Sequence, residues 1–130
     1  RVELAIPEDL PLIRADAGLL ERVLANLVAN ADRHLPEGEK VQVSAEHTGT
    51  HVAVRVVDHG PGVAPERFEE IFAPFQHFGD RSTTGVGLGL AIARGFTEAM
   101  GGTLTPSRTP GGGLTMTVTL EVADATAADR

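Results

Sequence analysis

Two stretches, Lys40 to His47 and His51 to Asp58, alternate apolar and polar residues and are separated by Thr48-Gly49-Thr50. A period of two puts the apolar side chains of a strand on one face. A short glycine-containing spacer between two such runs predicts an antiparallel hairpin. Such a hairpin is marginal by itself and needs a layer packed on its apolar face.

The rest of the chain offers the other pieces. Val2 to Ile6 alternates and reads as a short strand, followed by a loop at Pro7 and Pro11 with a return through Leu12 and Ile13. Asp16 is placed to cap a helix reaching about His34, whose apolar members are Leu20, Val23, Leu24, Leu27 and Ala31. Pro36 and Gly38 end it. A short helix is predicted over Pro65 to Phe72, with proline at its start, inside a long loop from His59 to Gly85 of the kind that carries function. A second long helix fits Gly87 to Met100, stopped by Gly101-Gly102. Strands around Thr103 to Ser107 and Leu114 to Val122 follow. The expected fold is α+β, a two-layer α/β sandwich with a mixed sheet and helices on one face. Residues 1–122 are expected to form one domain and 123–130 a frayed tail.

Composition removes several classes of function. The 130 residues include no cysteine, so a disulfide, a thiolate metal site and a cysteine nucleophile are excluded. A net charge of −7 argues against binding nucleic acid through its phosphates, and the lack of Trp and Tyr argues against a base-stacking platform. No apolar run is long enough to span a membrane, and no direct membrane contact is expected. The chain opens on Arg1, so a piece of a longer protein is expected.

Three motifs remain that can carry chemistry. On the first long helix Asn26 and Asn30 stand four apart and share a face, which Arg33 and His34 extend. Asparagine is a poor helix former, and two beside an apolar seam need a reason. Asn30 can offer its carbonyl oxygen to Mg²⁺, a hard cation that prefers oxygen; solvated or locally bonded amides fit these residues as well. Next, Asp58-His59-Gly60-Pro61-Gly62 closes a strand. A carboxylate there can accept from an exocyclic amine such as that of adenine, and Gly60 and Gly62 let backbone approach a flat base; a plain turn is the competing reading. Last, Gly85-Val86-Gly87-Leu88-Gly89-Leu90 runs into a helix, where unpaired N–H groups and the helix dipole favour phosphate. It has neither the Lys-Ser/Thr of a P-loop nor dinucleotide-binding spacing. His47 and His51 flank the predicted hairpin turn and are expected to be plain surface residues.

In order and combination these motifs resemble the N, G1 and G2 boxes of the GHKL nucleotide-binding superfamily, which includes histidine kinases, DNA gyrase, Hsp90 and MutL. Asn26-Leu-Val-Ala-Asn30-Ala31, Gly85-Val-Gly-Leu-Gly-Leu-Ala-Ile92 and the F-box-like Ile71-Phe72-Ala73-Pro74-Phe75 look like histidine kinases. A finer similarity to the KdpD type of potassium-responsive sensor kinase rests on Ile6 to Ile13, Leu20 to Leu27, Pro61-Gly62-Val63 and Gly85-Val86-Gly87.

The resemblance implies a Bergerat-type fold and ATP and Mg²⁺ as ligands. It implies that Asn30 binds Mg²⁺ and that Asn26, Arg33 and Arg81 position phosphate. Asp58 would read the adenine amine, in a pocket shaped by Gly60 and Gly62 with His34 and Thr115 near the base. Gly85, Gly87, Leu88 and Gly89 would form the phosphate-facing helix start. The superfamily's ATPases carry a water-activating glutamate where this chain has Asn26, which has no basic carboxylate to offer, so transfer to a protein histidine is implied instead. Arg33-His34 stands where the family often has Lys-Tyr. His77 stands where relatives often have an arginine, which leaves the phosphate contact open between His77 and Arg81. No histidine here sits in a phosphorylated His-Glu or His-Asp pair, so the acceptor and its general base are placed on a separate dimerisation domain of the same protein. Phe68, Phe72, Phe75 and Phe78 are expected to pin the loop to the core. The implied setting is the cytoplasmic part of a membrane-anchored sensor kinase in potassium or osmotic signalling, with a KdpE-like response regulator downstream. The alternative is a nucleotide-dependent interaction module, a pseudokinase or anti-sigma-type relative.

Overall fold

The computed structural model describes residues 2–73 and 89–123. Strands β1 (Val2–Ala5), β2 (Val41–Thr48), β3 (His51–Val57), β4 (Thr103–Arg108) and β5 (Leu114–Glu121) accompany helices α1 (Ala17–Arg33) and α2 (Gly89–Ala99). The strands form one sheet in the order β1-β2-β3-β5-β4. β1 runs parallel to β2, and the other three pairings are antiparallel. The two helices pack on each other and over one face of this mixed sheet, as expected from the sequence.

Register explains why the sheet has one dry face. Val43 pairs with Val56 and Ala45 with Val54; across β3, Val52, Val54 and Val56 meet Leu120, Val118 and Met116. Leu104 continues the row beside Val118. All these side chains are buried and belong to one core cluster. The alternate positions, Gln42, Ser44, Glu46, Arg55, Thr117 and Thr119, fall on the opposite face. The hairpin turns through Gly49-Thr50, with Thr48 paired to His51 and Gly49 at φ +61. His47 Nε2 lies 2.9 Å from the Gly49 carbonyl and His51 Nδ1 2.9 Å from the Thr50 hydroxyl. Both rings therefore serve their own turn.

α1 follows its sequence signals. Asp16 accepts from the Leu19 N–H at 3.0 Å as the N-cap. Val23, Leu27 and Ala31, each four apart, are buried, while Leu20 and Leu24 pack partly buried beside them. On α2, Ala93 and Thr97 repeat that spacing, and the Thr97 hydroxyl donates to the Ala93 carbonyl at 2.7 Å. The short helix at Pro65–Phe72 is a 3₁₀ helix. Ala64 gives it no side-chain cap, and eight residues are too few to nucleate an α-helix without help. Phe72 is buried and Phe68 partly buried against the core, as the sequence suggests. Arg94 of α2 ties this segment down, with its guanidinium 4.1 Å from the Phe72 ring centre and 3.1 Å from Glu69.

β1 forms, but as an edge strand. Val2 and Leu4 pair with Val41 and Val43, yet are 45% and 66% exposed. The return through Leu12 and Ile13 is a single bridge from Ile13 to Val122, with the Ala123 N–H on the Leu12 carbonyl at 2.8 Å. Residues 124–130 of the expected tail, and Pro74, Phe75, His77, Phe78, Arg81, Gly85, Gly87 and Leu88, lie outside the described residues.

One contiguous core joins both helices to the sheet. Leu27, with no exposed surface, is its central test. Leu27→Ala is expected to lower the unfolding free energy by about 2–5 kcal/mol in urea titration. Arg94→Ala, which removes the ion pairs to Glu69 and Glu98 and one ring contact, should cost about 1 kcal/mol. A loss under about 1 kcal/mol for Leu27→Ala would contradict this placement of the core.

Candidate functional site

Asp58 follows the last residue of β3 and carries the ladder one step further, donating its N–H to the Leu114 carbonyl at 3.0 Å. The residue is 4% exposed. A buried carboxylate needs donors, and it has two, from the Gly60 N–H at 2.9 Å and the Leu114 N–H at 3.2 Å. Both fall on Oδ1. Among the described residues no hydrogen bond reaches Oδ2, so that oxygen has acceptor capacity to offer.

The turn after Asp58 is pressed against the end of α1. A Cβ on Gly60 would sit 2.6 Å from the His34 carbonyl oxygen, and Gly62 has φ +73 with the Gly113 carbonyl 3.0 Å from its would-be Cβ. Neither position accepts a side chain without a shift. Asp58, His34, Pro61, Gly62, Val63 and Leu114 surround a hollow of about 40 Å³. This admits the edge of a purine rather than a whole ring. It places a carboxylate, an imidazole and aliphatic walls in one spot.

From this hollow a polar stripe runs along α1. His34 is the C-cap, Asn30 lies one turn before it and Asn26 one turn further. The spacing from 34 to 26 corresponds to about 12 Å along the helix at 1.5 Å per residue. At its far end the Asn26 side chain lies 4.0 Å from where a Gly89 Cβ would be, so the stripe reaches the first residue of α2. Both amides are half-buried, and among the described residues neither makes a hydrogen bond. Local bonding to the backbone is therefore not what keeps asparagine at these two positions. Arg33, the last residue of α1, is exposed beside the stripe and has a partner of its own. Chemically the line offers an acceptor for an amine, then two amide oxygens, then the N–H-rich start of a helix.

The structure does not gather every residue the sequence singled out. Thr115 is buried with its hydroxyl 2.9 Å from the Thr109 hydroxyl, and it does not border the hollow. Leu114 occupies that place, and with Pro61 and Val63 it was missed. Strand pairing brings it opposite Asp58, and pairing partners are not visible in a local pattern. Gly85, Gly87, Leu88, Arg81 and His77 lie outside the described residues. A larger groove of about 850 Å³ shares Pro61 to Val63 and continues between Glu66 and the 108–113 turn. Its charged groups, Glu66 and Arg108, are exposed, so it has no desolvated anchor comparable to Asp58. The small hollow is the better site.

A family model described as histidine kinase-, DNA gyrase B-, and HSP90-like ATPase matches residues 15–124. The sensor protein KdpD of Rathayibacter rathayi is 55% identical over 116 residues, which cover 88% of this chain. The chain spans 14% of that relative's length. Full-length ShkA in complex with AMPPNP superposes with a TM-score of 0.80 at 34% identity, over 96% of this chain and 26% of that one. The nucleotide-free catalytic domain of the histidine kinase ThkA gives 0.77 at 31% identity, over 95% of this chain and 82% of that one. The chain therefore belongs to the histidine kinase-, DNA gyrase B- and HSP90-like ATPases, and within them it is similar to the catalytic domains of sensor histidine kinases.

Proposed function

We propose that the chain binds ATP with its base in the Asp58 hollow and its phosphates along α1, and presents the γ-phosphate to a histidine on a dimerisation domain of the same protein. Asp58 Oδ2 accepts from the adenine amine, and His34, Val63 and Leu114 border the ring. Gly60 and Gly62 keep the backbone close enough for that fit, while Thr115 acts at one remove behind Leu114. Asn26 and Arg33 position phosphate beside Gly89, whose helix start donates N–H groups; Arg81, Gly85, Gly87 and Leu88 keep the phosphate-facing roles that the resemblance implies. The observation that carries this reading is the buried Asp58 carboxylate, with one oxygen saturated and the other open, at the head of a stripe that ends on a helix N-terminus.

Asn30 fits a Mg²⁺ ion, because it offers a hard oxygen, half-buried and without another partner among the described residues. Bound there, the ion would neutralise phosphate charge. Catalysis by the chain's own residues is then positioning and electrostatics, with no acid or base of its own. Asn26 cannot take a proton from water, which disfavours hydrolysis. No described helix is long and apolar enough to cross a membrane; the similarity to KdpD favours a cytoplasmic domain of a membrane-anchored kinase. The similarity to KdpD favours potassium or osmotic signalling through a KdpE-like response regulator. It also favours a kinase over a nucleotide-dependent interaction module.

Thermal unfolding with ATP–Mg²⁺ tests the site. Ligand at a hundred times its Kd stabilises by about 2.7 kcal/mol, which for a chain of this size raises Tm on the order of 10 °C. The parent should show that shift, and Asn30→Ala and Asp58→Ala should show little; equal shifts in all three would mean the site is misplaced. A second check is phosphate release. The isolated chain should release none above the buffer rate over many hours, whereas steady multiple turnover would make it an ATPase.

A further inference from the structure

The β4–β5 turn packs directly against Asp58, although none of the three motifs picked out in the sequence includes it. Gly113 adopts φ +117, and a Cβ there would lie 2.1 Å from the Asp58 carbonyl oxygen and 2.8 Å from His59 Cα. The turn is therefore seated directly on the backbone of the base-binding loop, at a distance only glycine allows. From the other side Gly62 meets the Gly113 carbonyl. That carbonyl accepts from the Thr109 N–H at 3.1 Å, and the Gly112 N–H donates to the Thr109 carbonyl at 2.8 Å. The Thr109 and Thr115 hydroxyls, both buried, close the turn at 2.9 Å. The residue after Gly113 is Leu114, whose N–H holds Asp58 Oδ1.

We propose that Gly113, clasped by the Thr109–Thr115 hydroxyl pair, is a positioning residue that sets the base selectivity of the site by fixing the direction of the Asp58 carboxylate. Two N–H groups on one oxygen stop the carboxylate from turning, so Oδ2 always faces the ligand. An amine at purine position 6 is then accepted and a carbonyl is repelled. Selectivity of adenine over hypoxanthine depends on this fixed aim, whereas overall affinity also draws on the phosphates. The inference rests on Asp58 as the reader of the base, and the variants below separate the two ideas.

Dissociation constants for ATP and ITP, both with Mg²⁺, are measured on the 130-residue chain. The parent is expected to prefer ATP by tens-fold, the range for a buried acceptor left facing the wrong group. Asp58→Asn, whose amide oxygen must keep the two N–H donors and so turns its NH₂ toward the ligand, should abolish or reverse the preference. Gly113→Ala should cut the ratio at least fivefold. Gly111→Ala should leave it unchanged, since Gly111 has a similar positive φ of +88 but open space around its Cβ. Thr109→Val should cut the ratio also, and Thr109→Ser should restore it; this pair decides the matter if Gly113→Ala does not fold. If Asp58→Asn keeps the parent ratio, the base reading fails and this inference with it. Should Asp58→Asn lose the preference while Gly113→Ala or, failing that, Thr109→Val keeps it, the positioning role alone is overturned. An equal fall in Gly111→Ala would reduce the effect to general strain in the turn and overturn it as well.

Discussion

A carboxylate taken out of water must be met by donors, and most of this molecule can be understood from how Asp58 meets that demand. It sits where the central strand β3 runs out, between the turn that follows it and the start of β5. Two backbone N–H groups reach the same oxygen, one from Gly60 in the adjoining turn and one from Leu114, 56 residues further along the chain than Asp58. Only a formed β3–β5 ladder brings them together. The site therefore exists when the sheet exists, and the dry face that drives sheet formation also assembles the acceptor.

The same economy governs α1. Its buried side, Val23, Leu27 and Ala31, holds the helix on the sheet, and the stripe Asn26, Asn30 and His34 borders that side instead of opposing it. Amides beside a core cost stability in an isolated helix. Here the stripe runs from His34 at the hollow beside the loop after β3 to Asn26, which lies by the first residue of α2. A ligand proposed to lie along that stripe would touch elements that core packing has already ordered.

Much of this was legible in the residues, for local reasons. Asp16 as cap, the four-residue spacing on α1, the hairpin at Gly49 and the strand ends near Gly101-Gly102 and Gly111 to Gly113 all follow from short-range rules, and they appear within a residue or two of expectation. The pair Asp58 and His34, read separately, does meet in one hollow. What escaped depends on pairing across the chain. β1 alternates as a core strand would, yet lies exposed at the edge, since alternation does not tell an edge from a centre. Leu114 borders the base hollow and Thr115 bonds Thr109, because β5 enters its pairing with Leu114 opposite Asp58. The tight seat of Gly113 could not be read from a turn with three consecutive glycines, of which only one is pressed against another segment.

One ligand is proposed to span from Asp58 to the start of α2 along the asparagine stripe. A crystal structure of this chain grown with Mg²⁺ and a non-hydrolysable ATP analogue tests this directly. The adenine amine should lie on Asp58 Oδ2, the metal beside the Asn30 amide oxygen, and the phosphates toward Asn26 and Gly89. Density for the purine in the groove between Glu66 and Arg108, or a nucleotide lying with its phosphates against Asp58, would contradict it.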